Sequence, residues 1–292
     1  MMVTPESDMD TGAALGPPLG LPADRPAIMG ILNTTPDSFS DGGRHFRLAD
    51  ALAHGRRLVD AGADILDIGG ESTRPGAEPV SVAEELDRVL PVIEALADSG
   101  ATISIDTRNP EVMRAAVAAG AAWINDISAL SHSPDSLATA AGLGVPVVLM
   151  HALGDPRTMQ DAPAYDDVVA EVRDYLAARI DVAVAAGIAR DRLIADPGIG
   201  FGKTVAHNLE LLARLDAFAG LGVPILVGLS RKSFIGRLSG ATDAGERLGG
   251  SLAGALWCAA HGARVIRVHD VSETRQALQV WRAVDAARPA DA

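Results

Sequence analysis

A chain of 292 residues with 48% apolar residues can bury a large core, and with aromatics at only 3% that core must be built from Ala, Val, Leu and Ile. Its net charge of −13 argues against a nucleic-acid backbone or an anionic membrane as the main partner, since both would be repelled over the whole surface. A lone cysteine, Cys258, excludes an intrachain disulfide and fits a reduced cytoplasm, while neither a membrane-length apolar run nor a secretory leader pattern is present.

Residues 1–25 carry Pro5, Pro17, Pro18 and Pro22 without a sustained period and read as a mobile leader, ahead of a single domain over 26–288 and a short tail at 289–292. The first strand, Ala27 to Asn33, runs into a long loop that includes Asp41, and a helix from about Leu48 to Ala61 follows. A second strand beginning at Asp64 stops in GGESTRPG, and Ser81 with Glu84 forms the capping signature of a helix whose apolar face is Leu86, Val89, Leu90, Ile93 and Leu96. The third strand is Ala101 to Asp106, followed by Asn109 and Pro110 as helix cap and first turn, and the fourth is Ala122 to Ile127, with Ser133 and Pro134 repeating that cap. The fifth, Val145 to His151, precedes a long helix marked by Val168, Val169, Val172, Leu176, Ile180 and Val184 and closed by Gly187. The sixth, Arg192 to Asp196, runs into PGIGFGK. The seventh, around Ile225 to Val227, stops at Gly228 and a cluster of Ser230, Arg231, Lys232 and Ser233. A helix rich in small residues from about Gly245 to His261, an eighth strand from Ala263 and a last helix from Ser272 to about Ala286 complete the chain.

Eight short apolar strands alternating with helices, with no hairpin between them, predict an α/β fold, the closed eight-stranded parallel (β/α)8 or TIM barrel. An open doubly wound sheet would want a glycine-rich dinucleotide turn after its first strand, and NTTP is unlike one.

The strands end, as read here, at Asn33, Asp67, Asp106, Asn125, His151, Asp196, Ser230 with Lys232, and Arg267 with His269. In a closed barrel these positions ring one mouth. Each alone has an ordinary structural explanation, a turn cap or a core histidine, but eight polar strand ends together point to a site. Asp106, Asn125 and Asp196 suit the donor and acceptor edge of a flat heterocycle, because a carboxylate can accept two parallel N–H groups. Arg267 and His269 with Asn33 suit an oxyanion such as phosphate, and Asn33 also suits Mg2+, a hard cation that keeps its waters. A Ser, His and Asp triad can be assembled on paper, with no nucleophile-elbow motif to support it.

The motifs MGILNTTPDSFSDGG, GGESTRPG, SIDT, INDI, LMH, DPGIGFGK, SRKS and RVHD together make the chain resemble the dihydropteroate synthases of folate biosynthesis over nearly its whole length after the leader. The resemblance implies a barrel transferase that condenses (7,8-dihydropterin-6-yl)methyl diphosphate with 4-aminobenzoate, using Mg2+. It assigns the pterin to Asp106, Asn125, Met150, Asp196, Lys232 and Arg267. The diphosphate falls to Asn33, Thr73, Arg267 and His269, with Asp41 near it, and the metal to Asn33. Aminobenzoate falls to Thr73, Arg74, Pro75, Phe201, Lys232 and Ser233, and catalysis to Asp106, Lys232, Arg267 and His269. A homodimer built on the last helices is also implied. A pterin-binding methyltransferase on the same barrel and a non-catalytic pterin-binding paralogue are the alternatives, and diphosphate release separates all three.

Overall fold

The computed structural model describes residues 19–34, 44–71, 80–154, 159–160 and 162–287, with side chains from residue 48 onward in the first helix. Eight strands, β1 (Ala27–Asn33), β2 (Ile65–Gly69), β3 (Thr102–Asp106), β4 (Trp123–Asp126), β5 (Val147–Met150), β6 (Leu193–Asp196), β7 (Ile225–Gly228) and β8 (Ala263–Val268), pair in sequence order. All pairs are parallel, and β1 bonds to both β2 and β8, which closes the barrel.

The side-chain period of two along each strand sorts residues into two populations. One set, including Ile28, Leu32, Leu66, Ile68, Ile103, Ile105, Val147, Leu149, Val227 and Ile266, packs outward against the helices as the main core. The alternate set, Ala27, Met29, Ile65, Trp123, Val148, Ile194, Leu226 and Val265, forms a separate apolar cluster that fills the lower barrel. One or two steps further along the same alternation come Asn33, Asp67, Asp106, Asn125, Met150, Asp196 and Arg267. The interior is therefore a polar layer standing on an apolar floor. β7 contributes only Gly228 at this level, where an added methyl would lie 3.5 Å from Arg267 Cβ.

Around the strands lie α1 (Arg44–Asp60), α2 (Val82–Leu96), α3 (Pro110–Ala118), α4 (Ser136–Leu143), α5 (Val168–Ala185), α6 (Val205–Ala213), α7 (Ser233–Ser239), α8 (Leu248–Ala260) and α9 (Val271–Ala286). Ser81 caps α2 by accepting from the Glu84 N–H, but the Glu84 carboxylate turns to Arg88 instead of completing the box. Asn109 is the N-cap of α3 with Pro110 in its first turn, yet its side chain donates to Glu85 at 2.6 Å and caps nothing. α4 starts after Asp135, not at the expected Ser133. On α5 the buried face ends on Ala183, whereas Val184 is 40% exposed. Cys258 is fully buried in the core.

The segment expected as a mobile leader joins the barrel from Leu19 on. Leu19 and Leu21 pack beneath the apolar floor. Arg25 grips Asp64 with two bonds of 2.6 Å, Arg264 donates to the Pro22 carbonyl, and Arg282 pairs with Asp24.

Candidate active site

Asn33, Gly69, Asp106 and Asn125 form one continuous register row across β1 to β4, which fixes them at one height in the mouth. Asp67, two residues below the end of β2 and fully buried, is the hub beneath that row. Its Oδ1 accepts from Ser104 Oγ at 2.7 Å, and its Oδ2 accepts from Asn125 Nδ2 at 3.0 Å and from Arg267 Nε at 2.6 Å. Arg267 Nη2 donates to Asp106 Oδ2 at 2.8 Å. One guanidinium thus serves two carboxylates over a dry floor. Burial pushes the Asp106 carboxyl up to about 7, the neighbouring Asp67 adds to the rise, and Arg267 opposes it.

Across the mouth, Asp196 ends β6 and accepts from the Gly198 N–H at 2.7 Å. Burial raises its pKa, with Lys232 and that N–H acting against the rise. Lys232 arrives from a turn after β7 in which Arg231 adopts a left-handed φ of 58°, a conformation that costs a non-glycine residue about 1–2 kcal/mol. Three contacts hold it: the Arg231 N–H donates to Ser251 Oγ at 2.9 Å, Arg231 Nε donates to Asp270 at 3.0 Å, and Arg247 donates to the Arg231 carbonyl at 2.9 Å. Lys232 Nζ then donates to the Ile199 carbonyl and sits 4.5 Å from the centre of the Phe201 ring. Burial pushes its ammonium down to about 8, against the attraction of Asp196.

His269, just past β8, meets Ser230 Oγ through its backbone N–H at 3.2 Å and its Nδ1 at 3.1 Å, which ties the ends of β7 and β8 together. His151, just past β5, is buried with its Nδ1 2.9 Å from Lys203 Nζ and its ring edge-on to Tyr175 at 4.8 Å. Burial pushes the imidazole down to about 3, so it is neutral, and pushes Lys203 down to about 7.

Asp106, Asn125, Met150, Asp196, Lys232 and Arg267 are therefore brought to one mouth, with Asn33, Phe201, Ser233 and His269 around it. Thr73, Arg74, Pro75 and Asp41 lie outside the described residues. Two expectations change. Seven of the positions read as strand ends are not: Asp67, Asn125 and Arg267 lie within β2, β4 and β8, and His151, Ser230, Lys232 and His269 lie beyond their strands. The Arg267 guanidinium sits with the heterocycle half of the ring and not apart from it, because its long side chain reaches across β1 to the carboxylates of β2 and β3. Sequence reasoning gave no role to Asp67, Ser104 or Lys203. Interior parity of Asp67 and Ser104 was the available signal, and Lys203 stood only as the last residue of the DPGIGFGK motif, with nothing to single it out. Among the described residues no three His, Cys, Asp or Glu side chains could cage a metal ion.

The family model of pterin binding enzymes matches residues 29–269. The chain belongs to the pterin-binding enzyme family. Within it, the dihydropteroate synthase of Escherichia coli K12 is 54% identical over 269 residues, which are 92% of this chain and 95% of that one. A structure of the Xanthomonas albilineans dihydropteroate synthase with 4-aminobenzoic acid is 56% identical with a TM-score of 0.86, covering 91% of this chain and 95% of that one. A second, in complex with 7,8-dihydropteroate, is 54% identical with a TM-score of 0.83 and the same coverage. Like these dihydropteroate synthases, the chain is a TIM-barrel transferase.

Proposed function

We propose that the chain joins 4-aminobenzoate to (7,8-dihydropterin-6-yl)methyl diphosphate, giving 7,8-dihydropteroate and diphosphate. The observation that carries this is the cluster of Asp67, Asp106, Asn125 and Arg267 on an apolar floor, facing Lys232 and Phe201 across the same mouth. The pterin's guanidine-like edge supplies parallel N–H groups, which Asp196 and Asp106 accept in this reading, with Asn125 adding an amide and Met150 an apolar surface.

The bond that breaks joins the pterin methylene to diphosphate oxygen, and the electron pair leaves with the diphosphate. The electron-rich pterin stabilises the resulting cation, and the fixed carboxylates near it lower the cost of that charge. The neutral amine of aminobenzoate forms the new bond and loses one proton to solvent. No covalent enzyme intermediate is needed. His269, Asn33 and the outer edge of Arg267 face the leaving anion in this reading. Phe201, Lys232 and Ser233 bound the aminobenzoate, with Thr73, Arg74 and Pro75 assigned there by sequence.

Mg2+ is the cofactor this reading implies. Asn33, partly exposed at the rim, offers one neutral oxygen, which suits an ion held mainly by diphosphate oxygens and waters. When bound, the ion supplies positive charge to the leaving group. A homodimer is the assembly we assign, supported by exposed apolar residues on neighbouring helices: Leu238 on α7, Trp257 on α8, and Val280 and Val284 on α9. The compartment we assign is the cytoplasm, on the lone buried Cys258 and the lack, among the described residues, of any helix long and apolar enough to cross a membrane.

Diphosphate release should require aminobenzoate and fall by about 100-fold in Lys232→Ala. Pterin bound without release would overturn the synthase reading in favour of a binding paralogue, and methyl transfer without release would favour a methyltransferase.

A further inference from the structure

The loop after β6 is held by its carbonyl groups. Four successive oxygens each accept from a side chain of a different residue: Ile199 from Lys232, Gly200 from Gln160 at 2.6 Å, Phe201 from Lys203 at 2.9 Å, and Gly202 from Tyr165 at 2.9 Å. Gly198, Gly200 and Gly202 all take left-handed φ values, so every second residue turns the chain and sends the intervening side chain the other way. Phe201 is one of those intervening residues. Its ring direction therefore depends on where its own peptide is pinned.

Lys203 does the pinning from below. It is 3% exposed, and its Nζ meets three acceptors: Phe201 O at 2.9 Å, His151 Nδ1 at 2.9 Å and His151 O at 3.4 Å. In its ammonium form Lys203 has one donor for each of these three acceptors, and His151, accepting at Nδ1, then carries its proton on Nε2. The contact joins the end of β5 to the loop after β6. A methionine would fill the same slot without the cost of burying an amine, so space filling does not explain the residue.

We propose that Lys203 is a positioning residue for aminobenzoate, holding Phe201 in place as a wall of that pocket through the Phe201 carbonyl and the end of β5. This rests on the reading above that Phe201 bounds the aminobenzoate. Lys203 itself touches no substrate.

Steady-state kinetics of the full-length enzyme test it. Lys203→Met should raise KM for aminobenzoate about tenfold while kcat and KM for the pterin diphosphate stay within about threefold. Adding Phe201→Ala should then raise it little further, because both changes remove one wall. Multiplying effects in the double variant, an unchanged aminobenzoate KM, or a parallel loss across all constants would overturn the proposal. Should Lys203→Met fail to fold, His151→Asn, whose amide oxygen replaces Nδ1 as acceptor, is compared with His151→Leu. Only the leucine variant should raise the aminobenzoate KM, and equal values in the two would overturn the role. Wild-type turnover in the same assay tests the synthase reading separately from the Lys203 ratios.

Discussion

Asp67, Arg267 and Asp106 form a chain of two carboxylates sharing one guanidinium, with Asp67 fully buried and the side chain of Asp106 13% exposed. The raised pKa of Asp106, about 7, has a directional consequence for binding. Below that pH the free site holds a carboxylic acid, which cannot accept two N–H groups, so affinity for a pterin should weaken as pH falls from 8 to 6, by up to about tenfold per pH unit. Titration calorimetry with a non-reactive pterin would measure this, and Asp106→Asn should flatten the profile. The sign for stability is opposite: the unfolded chain releases this proton near the ordinary value of 3.8, so the Asp106 contribution is present below that pH and is lost as pH rises to about 7. Asp106 itself was legible as a polar strand terminus. Asp67 was legible as a member of the polar ring, but read as a strand end and not as the buried hub beneath it. Its depth depends on register between β2 and β3, which no single strand's sequence contains.

Elements were read well where hydrophobic period and cap chemistry agreed, as at Ser81 before α2 and across the whole of β1. At α3 the cap position was read correctly at Asn109 but its bond was not, because the Asn109 amide has a better partner in the buried Glu85 than in the helix end. α6 escaped notice because its capping box pairs Thr204 with His207 at the position where Glu or Gln is the familiar signal. The outward Val184 shows a further limit: apolarity alone cannot say which of two adjacent residues faces in, and here the smaller Ala183 does. The loop after β6 yields a prediction at this scale. A methyl on Gly198 would lie 1.9 Å from the His151 carbonyl oxygen at a φ of 66°, whereas Gly100, at a φ of 90°, has nothing within 4 Å of the same methyl. Gly198→Ala should lower stability in urea by about 2 kcal/mol more than Gly100→Ala, and equal losses would mean that the loop moves aside freely.

At the scale of the molecule, the eight-fold alternation of strand and helix made the barrel legible, and the polar residues near its strand ends made the mouth legible. What sequence could not supply was the height of each inward residue and the meeting of segments far apart in the chain, such as β2 with β8. Assembly belongs to this scale too. Val280 and Val284 lie four residues apart on α9 and are 60% and 64% exposed, so they form one apolar strip. Light scattering on the paired Val280→Glu and Val284→Glu variant should report a monomer where the wild type is a dimer, with the far-ultraviolet circular dichroism unchanged. A monomeric wild type would remove the dimer from the account.

The ion pair between Asp24 and Arg282 joins the segment entering β1 to the final turns of α9. Both ends of the described chain therefore leave the barrel beneath its apolar floor, on the face opposite the mouth. An added domain or surface tether joined at Leu19 or Ala287 would hang below the barrel and leave the approach of both substrates clear.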